Sequence, residues 1–360
     1  MKKNFYVYLY CLVLLFILYY CFRSILGWEL VNDEIYYLNG DYTADSRRGS
    51  FMRLAQFFQS PDLNILGIVF INFIAFIGSF YFLSKINFGN YLITFLQMMY
   101  VSAIANYVLR DTLLYFFVIL VFYQLFQVFD KKNTLSLNNY FLRIITLIMS
   151  IIIVSQLRIQ YTLTLITSFS LAYIFYKFSS KTIFFIIFFL VLILSYFGYN
   201  ILFEYRIMDI ASFLSYDESL YEFIQLRSER RDYEVSLFGI VTLFIKHIFA
   251  PIPTSLLWRI ATPEIWNDYG LLDDIYRFFY RVILYFLIIF ICLNIMKIKK
   301  LFNENKFAFI MLITFSLQNV ILYSLFGGGG GHERVKIFSV FPIYYLTSLL
   351  IEQNFRKKNE

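Results

Sequence analysis

Residues 110–132 read RDTLLYFFVILVFYQLFQVFDKK. Between Arg110-Asp111 and Asp130-Lys131-Lys132, 18 residues from Thr112 to Phe129 carry no formal charge. As a helix rising 1.5 Å per residue they extend about 27 Å, close to the roughly 30 Å hydrocarbon core of a bilayer. Charged brackets around an uncharged run of that length predict a transmembrane helix. Similar runs recur at 5–26, 63–83, 91–109, 140–157, 161–178, 182–203, 278–296, 307–326 and 335–351. The expected fold is therefore an all-α polytopic integral membrane protein with about ten transmembrane helices.

Composition agrees. The 360 residues are 60% hydrophobic and 15% charged, where a soluble domain averages about 45–50% and about 25%. A soluble enzyme, a disordered chain and a secreted disulfide scaffold are excluded. Cys11, Cys21 and Cys292 all lie in apolar runs, so no loop disulfide is available. Met1-Lys2-Lys3 before the run 5–26 imitates a secretory signal, but the run exceeds the usual 7–15-residue core and no small-x-small site follows. It reads as a retained first span. A further stretch, 236–250, is too short to cross; it holds Lys246 and His247 and precedes Pro251 and Pro253. It reads as re-entrant or interfacial within a large outer loop, in a single membrane domain covering residues 1–360.

Basic residues near span ends favour the cytoplasmic side. With both termini cytoplasmic and ten spans, the inner loops sum to a net charge of +11 and the outer side to −4, which gives the +7 of the whole chain. The basicity is thus topological and gives no support to nucleic-acid binding, which needs a solvent-facing basic patch. The two basic residue types then separate. Of 15 lysines, 13 fall inside; of 16 arginines, 14 fall outside. Topology should draw both inward, so something holds arginine at the outer face. Its planar fork binds carboxylate and phosphate bidentately, which lysine does not do. Pairing with outer acids accounts for part of the set; an anionic ligand such as a lipid-linked pyrophosphate accounts for the rest.

Particular outer residues follow. Arg110 and Asp111 make the whole link between two spans, and Arg158 sits in a similar tight link. Boundary charges mark functional sites, since burying them is costly unless they are paired. Arg227, Arg230 and Arg231 share one face if their segment is helical, with Glu229, Asp232 and Glu234 beside them to neutralise it. The last outer loop runs Gly327 to Gly331, then His332-Glu333-Arg334. Its glycines allow close backbone approach, and the next helix start offers free N–H groups to an anion. His332 and Glu333 would supply a base and an acid, and Arg334 an anion clamp. An imidazole suits deprotonation of a sugar hydroxyl near neutral pH. His247, in an apolar stretch, reads as structural. In the first outer loop Asp33 and Glu34 could act as a general base, bind a metal or only solvate the loop. Two distant histidines make no metal motif, and neither a metal nor another cofactor is expected.

The span opening with Arg110-Asp111-Thr112-Leu113-Leu114 and the Asp33 to Tyr36 motif resemble features of bacterial polysaccharide repeat-unit polymerases of the Wzy/EpsG type. So do the large outer loop 204–277 and Gly331-His332-Glu333-Arg334 before a final span with Phe341-Pro342. The resemblance implies a glycosyltransferase-C-like helical bundle in the bacterial inner membrane. It implies an enzyme that joins oligosaccharide units carried on undecaprenyl pyrophosphate for O-antigen, capsule or exopolysaccharide. Outer loops 27–62, 204–277 and 327–334 would form its active face. Arg110, Arg158 and Arg334 would clamp pyrophosphate and His332 would be the base. Besides the lipid-linked oligosaccharide and membrane lipids, chain-length regulator and flippase proteins would be its partners. Two other classes compete: a lipid-phosphate-sugar-dependent transferase adding one sugar, centred on Asp33 and Glu34, and a flippase for lipid-linked oligosaccharide. Spans nearly free of charge between their ends count against the flippase. The topology predicts that alkaline phosphatase fused after residue 62 is active and fused after residue 132 is inactive; the reverse pattern would overturn the orientation.

Overall fold

The computed structural model describes residues 2–25, 30–40, 49–58, 66–129, 137–177, 245, 247–262, 270–327 and 336–359. Within these, every regular element is a helix: α1 (Lys2–Ile25), α2 (Asn32–Asn39), α3 (Gly49–Phe58), α4 (Leu66–Ile86), α5 (Tyr91–Ile104), α6 (Asp111–Phe129) and α7 (Leu137–Leu157). There follow α8 (Ile159–Lys177), α9 (Pro253–Ala261), α10 (Gly270–Leu293), α11 (Ile295–Glu304), α12 (Lys306–Gly327) and α13 (Phe341–Asn359). Five of them contain segments long and apolar enough to cross a membrane: Asn4–Ile25, Gly67–Ile86, Asp111–Phe129, Tyr140–Leu157 and Leu271–Leu293. That is half the expected number among the described residues. The run 182–203, the stretch 236–250 apart from its last residues, and most of loops 204–277 and 327–334 lie outside them.

Two boundaries differ from the apolar runs for identifiable reasons. The run 91–109 is helical only to Ile104, 14 residues or about 21 Å. The remainder is irregular, held by side chains from elsewhere. Within the run 335–351, Lys336 is helical, residues 337–340 form turns, and the last helix starts at Phe341, where Pro342 lacks an N–H and fits the first turn of a helix, not its interior. That helix then continues to Asn359, into the basic tail.

The chain divides into two compact units. One holds Met1–Thr162, Ile252–Leu301 and Ile343–Glu360; the other holds Leu163–Pro251 and Phe302–Pro342. In the first unit, ring contacts fix the helix directions. Phe5 meets Tyr91 and Tyr19 meets Tyr107, so α1 runs parallel to α5. Asn72 reaches Leu109 while Phe82 meets Tyr123, so α4 runs parallel to α6. Tyr100 reaches Asp273, so α10 runs antiparallel to α5. The ends of α1, α5 and α7 therefore gather with the starts of α4, α6, α8 and α10.

At the opposite end, α4 closes in a Schellman turn. The Gly89 N–H donates to Ser84 O at 2.8 Å and the Phe88 N–H to Lys85 O, with φ of 56° at Phe88 and 74° at Gly89. Asn90 then caps α5, accepting from the Ile93 N–H at 3.2 Å. Asn87 donates to Thr94 and Gln97, which ties the turn to the helix it starts.

In the second unit, Thr167 on α8 donates to Gln318 on α12 at 2.7 Å. Phe169 and Tyr176 pack edge-on against Phe307. Lys336, expected at the outer surface, is buried and donates to Ala250 O at 2.7 Å.

Gly78 marks the closest approach of α4 to α6. A Cβ there would lie 2.5 Å from Phe116 Cε2. Gly78→Ala should lower stability by about 1 kcal/mol or more. Thermal unfolding in detergent should show the loss, and Phe116→Leu in the same chain should recover most of it.

Candidate functional site

The site begins with a break in the helical ladder. Residues 105–110, between α5 and α6, are all buried. Non-helical backbone in apolar surroundings needs partners from elsewhere, since each unmet polar group there costs several kcal/mol. Here they are side chains. Asn72 Nδ2 donates to Tyr107 O at 2.8 Å and to Leu109 O at 3.3 Å. Arg23 Nη1 donates to Asn106 O at 2.6 Å, and Glu34 Oε1 accepts from the Val108 N–H at 2.7 Å. Asn106 Nδ2 turns back to Phe16 O and Ser102 O.

Arg23 and Glu34 also pair with each other, Nη1 to Oε1 at 3.2 Å and Nη2 to Oε2. Glu34 is fully buried, and its Oε2 accepts the Val31 N–H at 3.1 Å, which closes the first turn of α2. The Arg23 guanidinium lies 4.0 Å from the Tyr107 ring centre, a cation–π contact. One buried ion pair thus joins α1, α2 and the broken link.

The second part lies where α6 and α8 start. Arg110 Nη1 donates to Leu157 O at 2.7 Å, a cation at the end of α7. Asp111, the first residue of α6, puts a carboxylate at a helix start and pairs with Arg158 at 3.5 Å. The partner of Asp111 across the fold is thus Arg158, while Arg110 caps a neighbouring helix. These three sequence-expected residues come together.

The third part is the start of α10. Asp273 pairs with Arg277 at 2.6 Å, one turn on. Tyr100 on α5 donates its hydroxyl to Asp273 Oδ1 at 3.3 Å and accepts from Arg277 Nε at 3.2 Å. Asp274, fully buried, faces Arg259 Nη2 of α9 at 3.1 Å and Arg277 Nη1 at 3.8 Å. Arg281 is fully buried about three turns inside α10. This helix is therefore not charge-free between its ends, against the expectation for the spans.

Tyrosines connect the first and third parts. The Tyr19 and Tyr107 hydroxyls share a hydrogen bond at 2.5 Å. The Tyr19 ring packs edge-on against Tyr276, and Tyr100 stacks at a tilt on Tyr280. Five arginines, Arg23, Arg110, Arg158, Arg259 and Arg277, thus belong to the same end of one unit, and Arg281 lies deeper in α10. Among the described lysines of that unit, Lys85 is in the last turn of α4 and Lys297 donates to Asn354 at 2.9 Å. Arg23, Arg158, Arg259 and Arg277 are each paired with a carboxylate.

His332, Glu333, Arg334, Arg227, Arg230 and Arg231 lie outside the described residues. Asp33 is half-buried beside Glu34. His247 is buried in the second unit, its Nε2 hydrogen-bonded to Ser339 Oγ at 3.1 Å. Trp258 is 68% exposed on α9. Among the described residues, no three His, Cys, Asp or Glu side chains gather to hold a metal. Sequence reasoning singled out neither the tyrosines nor Asp273 and Asp274. A cue was available for the acids: Asp273, Asp274, Arg277 and Arg281 repeat at helical spacing.

Comparison with family models, curated proteins and solved structures finds no match to this chain.

Breaking the central pair leaves a buried charge without its counter-charge. Glu34→Gln should cost about 3–5 kcal/mol, whereas Asp33→Asn should cost about 0.5 kcal/mol or less. Unfolding of the detergent-solubilised variants measures both; equal losses would show that Glu34 does not hold the broken link.

Proposed function

We propose that this protein is a membrane glycosyltransferase of the bacterial inner membrane. It polymerises undecaprenyl-pyrophosphate-linked oligosaccharide repeat units at the outer face, for O-antigen, capsule or exopolysaccharide. The observation that carries the proposal is the gathering of five arginines, Arg23, Arg110, Arg158, Arg259 and Arg277, at one end of a membrane-type helical unit.

In this reaction the growing chain leaves its lipid carrier and joins a hydroxyl of the next unit. The departing pyrophosphate gains negative charge as its bond to the sugar breaks. Guanidiniums already in place stabilise that charge without reorganising, which is where such sites obtain most of their rate. Arg110 and Arg158 are assigned to the pyrophosphate. Each is anchored by the fold, one on Leu157 O and the other on Asp111, so their positions are set before substrate arrives. Arg334, Arg227, Arg230 and Arg231 are assigned to the glycan and its carrier on their sequence positions alone.

The rival single-sugar transferase centres on Asp33 and Glu34. The Glu34 carboxylate is committed to Arg23 and to two backbone N–H groups, which suits a structural role better than proton transfer. The flippase has one observation in its favour: Arg281, buried well inside α10.

The test is the glycan profile of a deletion strain complemented with wild type, Arg110→Ala or Arg158→Ala. Wild type should restore the ladder of long chains. Each arginine variant should lower polymer by about 10²–10³-fold, as loss of a transition-state donor does, and leave single complete repeat units. Units missing one sugar would instead identify a single-sugar transferase. Complete units trapped on the cytoplasmic leaflet would identify a flippase.

A further inference from the structure

Asp274, next to Asp273 at the start of α10, is held by ion pairs alone. Its side chain is fully buried, yet among the described residues neither of its oxygens accepts a hydrogen bond. Buried carboxylates normally accept several. Its neighbour differs at one oxygen: Asp273 Oδ1 accepts from the Tyr100 hydroxyl, while Asp273 Oδ2 meets Arg277 as an ion pair at 2.6 Å. Asp274 instead has two counter-charges at a distance, Arg259 Nη2 at 3.1 Å and Arg277 Nη1 at 3.8 Å, neither in hydrogen-bonding geometry. Arg277 is buried, but the Arg259 side chain is 26% exposed. It is carried on α9, a helix of nine residues just before α10.

A buried carboxylate that accepts no hydrogen bond among the described residues, compensated in charge by two arginines, has the form of a general base awaiting a hydroxyl. We infer that Asp274, and not His332, accepts the proton of the acceptor sugar; this rests on the glycosyl-transfer activity proposed above. In the step, the acceptor hydroxyl oxygen forms a bond to the anomeric carbon of the donor chain. The bond from that carbon to pyrophosphate breaks, and its electron pair leaves with undecaprenyl pyrophosphate. The hydroxyl proton passes to a carboxylate oxygen of Asp274 and later to water. Arg259 is a positioning residue: it yields its place beside Asp274 to the acceptor sugar and holds the carboxylate between turnovers.

The experiment uses membranes containing the full-length chain and lipid-linked repeat units, with polymer formation as the readout. Asp274→Asn should lose about 10²–10⁴-fold in rate, the usual contribution of a general base. Sodium formate should restore activity to Asp274→Ala at least tenfold by supplying the missing carboxylate. A merely structural partner of Arg259 behaves differently: removing both charges in Asp274→Asn/Arg259→Gln would then restore activity. Such restoration, or a wild-type rate in Asp274→Asn, would overturn the assignment while leaving the polymerase proposal intact. Wild-type membranes that form no polymer from lipid-linked units would sink that proposal and this one together.

Discussion

The ion pair between Arg23 and Glu34 is the constraint on which the described part of the first unit depends. Helix α5 stops at Ile104 although its sequence continues apolar, and the six residues after it are buried without a helical ladder. Arg23 takes the Asn106 carbonyl and Glu34 takes the Val108 N–H, so each charge meets its counter-ion and a backbone group at once. A buried ion pair often adds little net stability, because desolvation cancels the attraction. This one does more than pair, since it completes hydrogen bonds that would otherwise be lost in an apolar interior. The break in turn sets where α6 begins, and so places Asp111 and Arg110 against α7 and Arg158.

Around that break the polar groups form a continuous path within one unit. It runs from Glu34 and Arg23 through Tyr107 and Tyr19 to the ring of Tyr276 on α10, where Asp273, Asp274 and Arg277 also sit. Tyrosine suits this position because it buries a large apolar ring while keeping a hydroxyl for a partner. The abundance of tyrosine, 31 residues in 360, thus has at least one use other than an aromatic belt at the membrane surface. Charge concentrated in such an interior acts more strongly than at a wet surface.

Some sequence expectations survive contact with the structure better than others. The helical character of the described residues and the tight link at Arg158 were legible, because uncharged runs bounded by charges have few other solutions in a bilayer; the link read as Arg110-Asp111 is instead residues 105–110, with Asp111 already in α6. The end of α5 was not. Nothing in residues 101–109 announces it, since neither proline nor glycine is present. The start of α13 was legible in Pro342, had its place in the first helical turn been weighed against hydropathy. Glu34 was misread in role: adjacent acids in a loop suggest catalysis, and the three-dimensional neighbours turn one of them into a strut.

By itself, the sequence determined that this is a helical membrane protein and that its arginines and lysines part company. Both follow from composition and linear spacing, which the bilayer reads directly as transfer energy. Only the tertiary structure decided which charges are spent on holding the fold and which are left over. Arg23 with Glu34, and Arg277 with Asp273, are spent; Asp274 meets Arg259 and Arg277 as ion pairs but accepts no hydrogen bond among the described residues. Adjacent carboxylates of the same type, Asp273 and Asp274, differ in this respect only because one faces a tyrosine hydroxyl across α5 and the other does not. Partners so far apart in the chain are joined by packing, and no local pattern encodes them.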